Sequence, residues 1–108
     1  MSLRVDDVPG ARALRLEGEL DMGTIELLQG CLDDASAAGG PLVVDLRELT
    51  FMDSTGIHAW VKASKLLAAH GWCVYLHVRG GIVERVLEVA ALDEVPNIHV
   101  VRHPLDGA

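Results

Sequence analysis

The chain has 108 residues, half of them hydrophobic, and its 16 acidic and 9 basic residues give a formal net charge of −7. This length is enough for one domain with one core, and the acidic balance excludes a general nucleic-acid binder, which needs a basic face. No apolar run approaches the roughly 20 residues of a membrane-spanning helix, and the first residues lack a signal-peptide core. We therefore expect a single cytoplasmic domain over residues 1–108 that neither binds nucleic acid nor inserts into a membrane.

Two strands and a helix are predicted in the first forty residues. The stretch 3–8 is a short strand that ends at the turn signal Pro9-Gly10. The stretch 11–20 alternates apolar and charged residues, as a half-exposed strand does, and the short turn between the two predicts an antiparallel hairpin. An amphipathic helix follows and stops at Gly39-Gly40. Its predicted inward residues are Ile25, Leu28, Leu32 and Ala35.

The predicted fold is organised around the stretch 42–57. A short apolar run from Leu42 predicts a strand buried on both faces. A predicted polar connection then leads to the segment Asp53-Ser54-Thr55-Gly56, and the pattern of 56–70 is helical. Trp60 lies on the predicted inward stripe of this helix. A lateral patch packs either on a neighbouring helix or on a partner; it consists of Ala59, Ala63 and Leu66.

The carboxyl-terminal half continues the alternation of strands and helices. A strand is predicted at 72–78, a third helix after the Gly80-Gly81 turn, and a last strand at 98–101. Because such alternation produces parallel crossovers, the predicted fold class is α/β, with a small mixed sheet, an amino-terminal antiparallel hairpin and helices mainly on one face. The core is placed at about 3–101 and a tail at 102–108.

Catalytic and metal-binding patterns are weak in this sequence. No Gly-x-Ser-x-Gly elbow surrounds Ser54, no Walker loop is present, and none of the five histidines has the spacing of a zinc helix. Cys31 and Cys73 lack metal-site spacing, so we expect buried, inert thiols. We therefore expect that the protein is not an enzyme and that it binds no metal ion and no cofactor.

Asp45 is a second candidate for chemistry, since it is predicted near the carboxyl end of a parallel strand. Response-regulator receivers carry a phosphorylatable aspartate there. They also need an acidic pair after the first strand and a lysine after the last; here the required strand-helix order is missing at the amino end, and no matching lysine is found. The preferred role for Asp45 is a hydrogen bond to the loop that follows.

Ser54 is the hydroxyl that local chemistry singles out. Short side chains with an oxygen accept the free N–H groups at the start of a helix, so Ser54 and Thr55 are predicted where a strand-to-helix unit presents hydroxyls to solvent. The start of a helix also favours negative charge. The position therefore suits either a plain capping residue or a hydroxyl that carries a phosphate.

The segment from Val43 to Ile57, with Asp53-Ser54-Thr55-Gly56 near its end, resembles the motif of STAS domains and especially that of bacterial anti-sigma factor antagonists. Gly18-Glu19-Leu20-Asp21 is similar to the second recurring stretch of that family, and the likeness covers roughly residues 3–101. The resemblance implies a small mixed sheet with helices mainly on one side, in agreement with the order of elements above.

The activity that this resemblance implies is binding rather than catalysis. An antagonist of this family binds an anti-sigma factor that is also a serine kinase, which frees a sigma factor. The kinase uses ATP to phosphorylate the serine that corresponds to Ser54, and a phosphatase resets the switch. Gly56 is expected to let the partner's backbone approach the helix. The implied partner-binding residues are Asp21, Asp53, Thr55, Gly56, Ile57 and His58.

Two departures from the family pattern stand out. His58 and Trp60 occur where many antagonists have small or aliphatic residues, which puts them beside the expected docking surface. The family's last helix is expected to be short or missing here, given Pro104 and Gly107. The alternative functions are a STAS subunit of an ABC-type lipid transporter and a stressosome-type scaffold component.

Overall fold

Strands and helices alternate along the chain in a computed structural model that describes residues 1–6 and 9–104. The strands are β1 (Ser2–Val5), β2 (Arg12–Leu20), β3 (Leu42–Met52), β4 (Val74–Val78) and β5 (Ile98–Arg102). The helices are α1 (Ile25–Ala38), α2 (Ser54–Ala68) and α3 (Gly81–Val89), and a 3-10 turn at Leu92–Glu94 precedes β5. The order of elements and the α/β class agree with the sequence prediction.

The five strands form one sheet in the order of the chain, β1-β2-β3-β4-β5. The predicted hairpin is confirmed, since β1 and β2 are antiparallel, whereas the other neighbours are parallel. Each parallel connection carries one helix between adjacent strands. Because such crossovers share one hand, successive ones place their helices on the same face of the sheet.

The core lies between this covered face and the helices. Alternate residues of the central strands point into it, so Leu14 and Leu16 of β2 are buried beside Val44 and Leu46 of β3. Trp60 of α2 is fully buried, and its indole N–H donates to the Met52 sulfur at 3.2 Å. The opposite face of the sheet carries charged and aromatic side chains that keep partial exposure to solvent.

The predicted polar connection after Leu46 is wrong, because this segment is the second half of β3. The strand has 11 residues and pairs with β2 as far as the Leu20–Met52 pair. The pairing register shifts between Arg15 and Glu17 and again between Gly18 and Glu19. These shifts break the two-residue alternation of burial on β3 and hide its strand pattern in the sequence.

The prediction that β3 is buried on both faces is also wrong. Val43 and Asp45 keep partial exposure, because the helices cover only the other face. Asp45 is the fourth residue of the strand rather than a residue near its carboxyl end. Its carboxylate therefore meets no following loop, and it accepts hydrogen bonds from Arg47, two residues further along the same strand.

Several boundaries differ from the prediction. β1 ends at Val5, and residues 7 and 8 of the predicted first strand lie outside the described residues. β4 begins at Val74 rather than at 72, and β5 includes Arg102, which was assigned to the tail. The question of a short or missing last helix falls largely on residues 105–108, which also lie outside the described part.

Two predictions about side-chain burial can be compared with the structure. Ala59 and Ala63 of the lateral patch are buried where α2 packs on α1, and Leu66 is 43% exposed. Cys31 and Cys73 are free thiols, but they are half-buried rather than buried. Partial burial, aided by Asp34, raises the pKa of the Cys31 thiol. None of the helices in the described ranges has the length and apolar character of a membrane span.

Candidate functional site

Asp21 and Asp53 follow two neighbouring parallel strands at the same end of the sheet. The strand register pairs Leu20 with Met52, and the Asp53 backbone N–H donates to the Leu20 carbonyl oxygen at 3.4 Å. The residues that begin α1 and α2 therefore stand side by side. This edge of the sheet is the place where the sequence puts Ser54, Thr55 and their acidic neighbours.

Asp53, and not Ser54, caps α2. Asp53 has an extended backbone, and its carboxylate Oδ1 accepts the Thr55 N–H at 2.9 Å. This arrangement satisfies one of the free N–H groups at the start of the helix. Ser54 is then the first helical residue and is exposed, while Thr55 is half-buried. Because the cap is already made by Asp53, the Ser54 hydroxyl is not needed for it.

Asp21 builds the turn that begins α1. Its Oδ1 accepts the Gly23 N–H at 2.9 Å, and its backbone N–H donates to the Thr24 Oγ1 at 3.0 Å. The Asp21 carbonyl oxygen accepts the N–H groups of Thr24 and Ile25. Asp21 is half-buried, so one of its roles is local and structural. Its negative charge still lies at the same edge of the sheet as Asp53.

Gly56 faces the core, so the prediction that it leaves room for a partner is wrong. It is buried, and a Cβ atom built on it would lie 2.5 Å from Met52 Cγ and 3.0 Å from Leu20 Cδ2. Glycine is needed here because the helix and the end of β3 approach each other closely. Trp60 is likewise a core residue and not part of a docking surface, since it is fully buried.

Ile57 and His58 differ in their surroundings. His58 is exposed on α2, whereas Ile57 is half-buried and lines a groove of about 320 Å³ between α2 and α3. We call this the Ser54 groove; it is lined by Ser54, Ile57, Arg85, Val86, Val89 and Ala90. The sequence analysis missed the α3 side of the groove. Val89 lies on that side and is 78% exposed, a property of the packed structure that no pattern in the sequence indicates.

The open face of the sheet carries a second set of polar contacts. Asp45 and Arg47 form a two-point ion pair with N–O distances of 3.0 and 2.9 Å, and this hydrogen bonding holds the pKa of Asp45 below its usual range. His77 Nδ1 lies 2.8 Å from His103 Nε2, with the two rings stacked. Partial burial, and next the charge of His103, lower the pKa of His77.

The chemistry available at the Ser54 edge is that of an exposed hydroxyl with acidic neighbours. Among residues 1–6 and 9–104, no group of three His, Cys, Asp or Glu side chains is placed to hold a metal ion. Asp53 is engaged with the Thr55 N–H rather than with a serine hydroxyl. The arrangement leaves the Ser54 side chain exposed beside an apolar groove.

Comparisons with known proteins identify a family through a family model and a fold through solved structures. The family model described as STAS domain matches residues 2–103. A crystal structure of an anti-sigma factor antagonist from Mycobacterium paratuberculosis superposes with a TM-score of 0.81 at 24% identity, over 91% of this chain and 84% of that one. The unphosphorylated form of the anti-sigma factor antagonist SpoIIAA gives 0.78 at 22% identity, over 93% and 88%. The curated proteins include no match to this chain.

Proposed function

The chain belongs to the STAS domain family, and from this premise we propose that it is an anti-sigma factor antagonist. It is a cytoplasmic, non-enzymatic regulator that binds an anti-sigma factor serine kinase and so frees a sigma factor. Phosphorylation at Ser54 switches it off, and a phosphatase acting on the phosphorylated form restores it. The two antagonists whose folds resemble this one support the role.

The exposed position of Ser54 carries the proposal. Asp53 caps α2 and leaves the neighbouring hydroxyl open to solvent at the rim of the Ser54 groove. A kinase needs such access to the acceptor oxygen. The proposed contacts with the kinase are Asp21 and Asp53, at the same end of the sheet, and Thr55, Ile57 and His58, at the start of α2, whereas Gly56 acts through packing.

The phosphorylation step transfers the γ-phosphoryl group of ATP. A bond forms between Ser54 Oγ and the γ-phosphorus, the bond to the β–γ bridging oxygen breaks, ADP leaves, and the hydroxyl proton passes to a base of the kinase. The phosphate adds about −1.5 to −2 charges to a chain that already carries −7. It lies at a helix start, where negative charge is favoured by about 0.3–1 kcal/mol, so the domain tolerates it.

The same phosphate opposes binding to a partner surface that is built for a neutral hydroxyl. Burying the phosphate there costs on the order of several kcal/mol, through desolvation of the phosphate and repulsion by Asp53. Since about 1.4 kcal/mol corresponds to a tenfold change in affinity, we expect phosphorylation to weaken kinase binding by two to three orders of magnitude without unfolding the domain.

The test begins with copurification of the partner and mass spectrometry after incubation with that partner and ATP. We expect a soluble ATP-binding kinase and phosphate on Ser54. An ABC-type ATPase as the partner would instead support the transporter subunit. Phosphate on Thr55 would move the acceptor by one residue and keep the mechanism.

Titration calorimetry with the purified kinase then tests the switch. Ser54→Ala is expected to bind as the wild type does and to resist phosphorylation, while Ser54→Asp is expected to fold but bind weakly. Ser2→Ala, which removes an exposed hydroxyl on β1, is the matched control and is expected to behave as wild type. Equal affinities for wild type, Ser54→Ala and Ser54→Asp, each with an unchanged melting temperature, would refute the proposal.

A further inference from the structure

Arg85 stands on the opposite wall of the Ser54 groove from Ser54 itself. Ser54 and Ile57 come from the first turn of α2, and Arg85 belongs to the second turn of α3. The rest of the lining is apolar, so Arg85 supplies the groove's positive charge. Its side chain is therefore the cation that shares a surface with the proposed phosphorylation site.

The acidic residues of α3 are engaged elsewhere. Glu84 Oε1 accepts the Gly80 N–H at 3.2 Å and so serves the start of its own helix. Glu88 Oε1 lies 3.9 Å from Arg102 Nε on β5. Arg85 is exposed and makes no ion pair or side-chain hydrogen bond with any residue in the described ranges. Its guanidinium is thus available to an anion that enters the groove.

We propose that Arg85 pairs with the phosphate of phosphorylated Ser54 across the groove. The inference rests on the proposed phosphorylation of Ser54. A guanidinium matches phosphate oxygens with two parallel hydrogen bonds, and such charge-assisted pairs are the strong ones. Ser54 is a neutral hydroxyl before modification, so the pair exists only in the phosphorylated state.

The pair changes what the groove presents to a partner. In the unmodified protein the groove offers apolar side chains of Ile57, Val86 and Val89 with a free cation on its wall. In the phosphorylated protein the phosphate and the guanidinium span the groove. This pair covers the apolar lining, and the guanidinium is no longer available to a partner. The off state is then defined by a closed groove as well as by added negative charge.

The test uses the full chain with phosphoserine installed at position 54 during translation, so that no kinase is needed. Phosphorus NMR follows the second ionisation of the phosphate as the pH is varied. An opposite charge close by favours the more negative form, so we expect the phosphate's second pKa to be lower in the wild type than in Arg85→Gln by at least about 0.5 unit, a modest value because the site is exposed. The difference should shrink as salt is added.

Two variants make the result specific. Lys62→Gln removes a positive charge from α2 on the side that faces α1, away from the groove, and is expected to leave the phosphate's pKa at the wild-type value. Arg85→Lys is expected to retain part of the difference, because a point charge replaces the planar group. An identical phosphate pKa in the wild type and Arg85→Gln would overturn the pairing. Failure of the kinase to modify Ser54 would instead overturn the proposed function and leave this measurement intact.

Discussion

On the open face of the sheet, His77 Nδ1 and His103 Nε2 lie 2.8 Å apart. Partial burial and the charge of His103 lower the pKa of His77, and the charge of Arg47 lowers it further. The charge of Asp45, the cross-strand neighbour of His77, raises it. The folded protein therefore binds this proton less tightly than the unfolded chain, in which the histidine pKa is about 6.5.

The sign of the pH effect follows from this difference. The unfolded chain holds more protons in the interval between the two pKa values, so stability rises with pH there. His77 thus contributes stability that is fully present above about pH 6.5 and is lost as the pH falls through the lower, folded value. We expect His77→Gln to show a smaller loss of unfolding free energy than the wild type between about pH 7.5 and pH 5.5.

Direct titration of the His77 ring by NMR checks the cause. His103→Gln is expected to raise the pKa of His77, because it removes a repulsive charge, whereas Asp45→Asn is expected to lower it. Asp45 itself titrates in a more acidic interval, since its pKa is also lowered. If His103→Gln left the His77 pKa unchanged, the contact would have no role in the pH dependence.

Single residues divide into those that local rules could predict and those that depend on the packed structure. Ser54 was placed at an exposed helix start because capping preferences act over a few residues. The inward role of Gly56 and the groove position of Arg85 depend on which elements pack together, α2 on β3 in one case and α2 beside α3 in the other. No local pattern in the sequence carries that information.

At the scale of elements, the order and type of the elements followed from hydrophobic periodicity. The direction of strand pairing followed from the alternation of strands and helices and from the short turn predicted after the first strand. The exception is β3, where Arg47, Glu48 and Thr50 were interpreted as a connection because the two-residue alternation fails. The cause lies in β3 itself, which has one extra residue relative to β2 at each of the two register shifts. Each extra residue on β3 interrupts its two-residue alternation of burial, so the sequence pattern no longer identifies the whole segment as one strand.

The close approach of α2 to the end of β3 gives a prediction at the same scale. We expect Gly56→Ala to lower the free energy of unfolding by about 1 kcal/mol, because overpacking a core costs about 1–3 kcal/mol and alanine regains only about 1 kcal/mol in helix propensity. The added Cβ meets Met52 Cγ, which lies within the side chain and not at its flexible end. Urea denaturation measures the change.

Gly30→Ala is the matched control for Gly56→Ala. Gly30 lies within α1, is exposed, and a Cβ atom there has nothing within 4 Å. The same substitution is therefore expected to raise the free energy of unfolding by up to about 1 kcal/mol, through helix propensity alone. If both variants were stabilised to the same extent, the contact between Gly56 and Met52 would not limit the approach of α2 to the sheet.

At the scale of the whole molecule, one hydrophobic cluster joins the three helices to the central sheet. It contains Leu28 of α1, Trp60 of α2 and Leu87 of α3, together with residues of β2, β3, β4 and β5. A domain whose elements share one core loses them together. The switch that we propose acts at an edge of this core, so it can change the surface at Ser54 while the fold stays intact.

The two tryptophans provide a test of this cooperativity. Trp60 is fully buried and Trp72 is 40% exposed, so only Trp72 should be quenched readily by acrylamide. In Trp72→Phe, the remaining fluorescence reports on the centre of the core, and far-UV circular dichroism reports on the helices. We expect the two urea transitions to coincide, with a slope of about 1–3 kcal/mol per molar, as for other small domains. A Trp60 fluorescence transition at lower urea than the loss of helix signal would mean that α2 leaves the sheet as a separate unit. Phosphorylation of Ser54 at the start of α2 could then disturb the core as well as the surface.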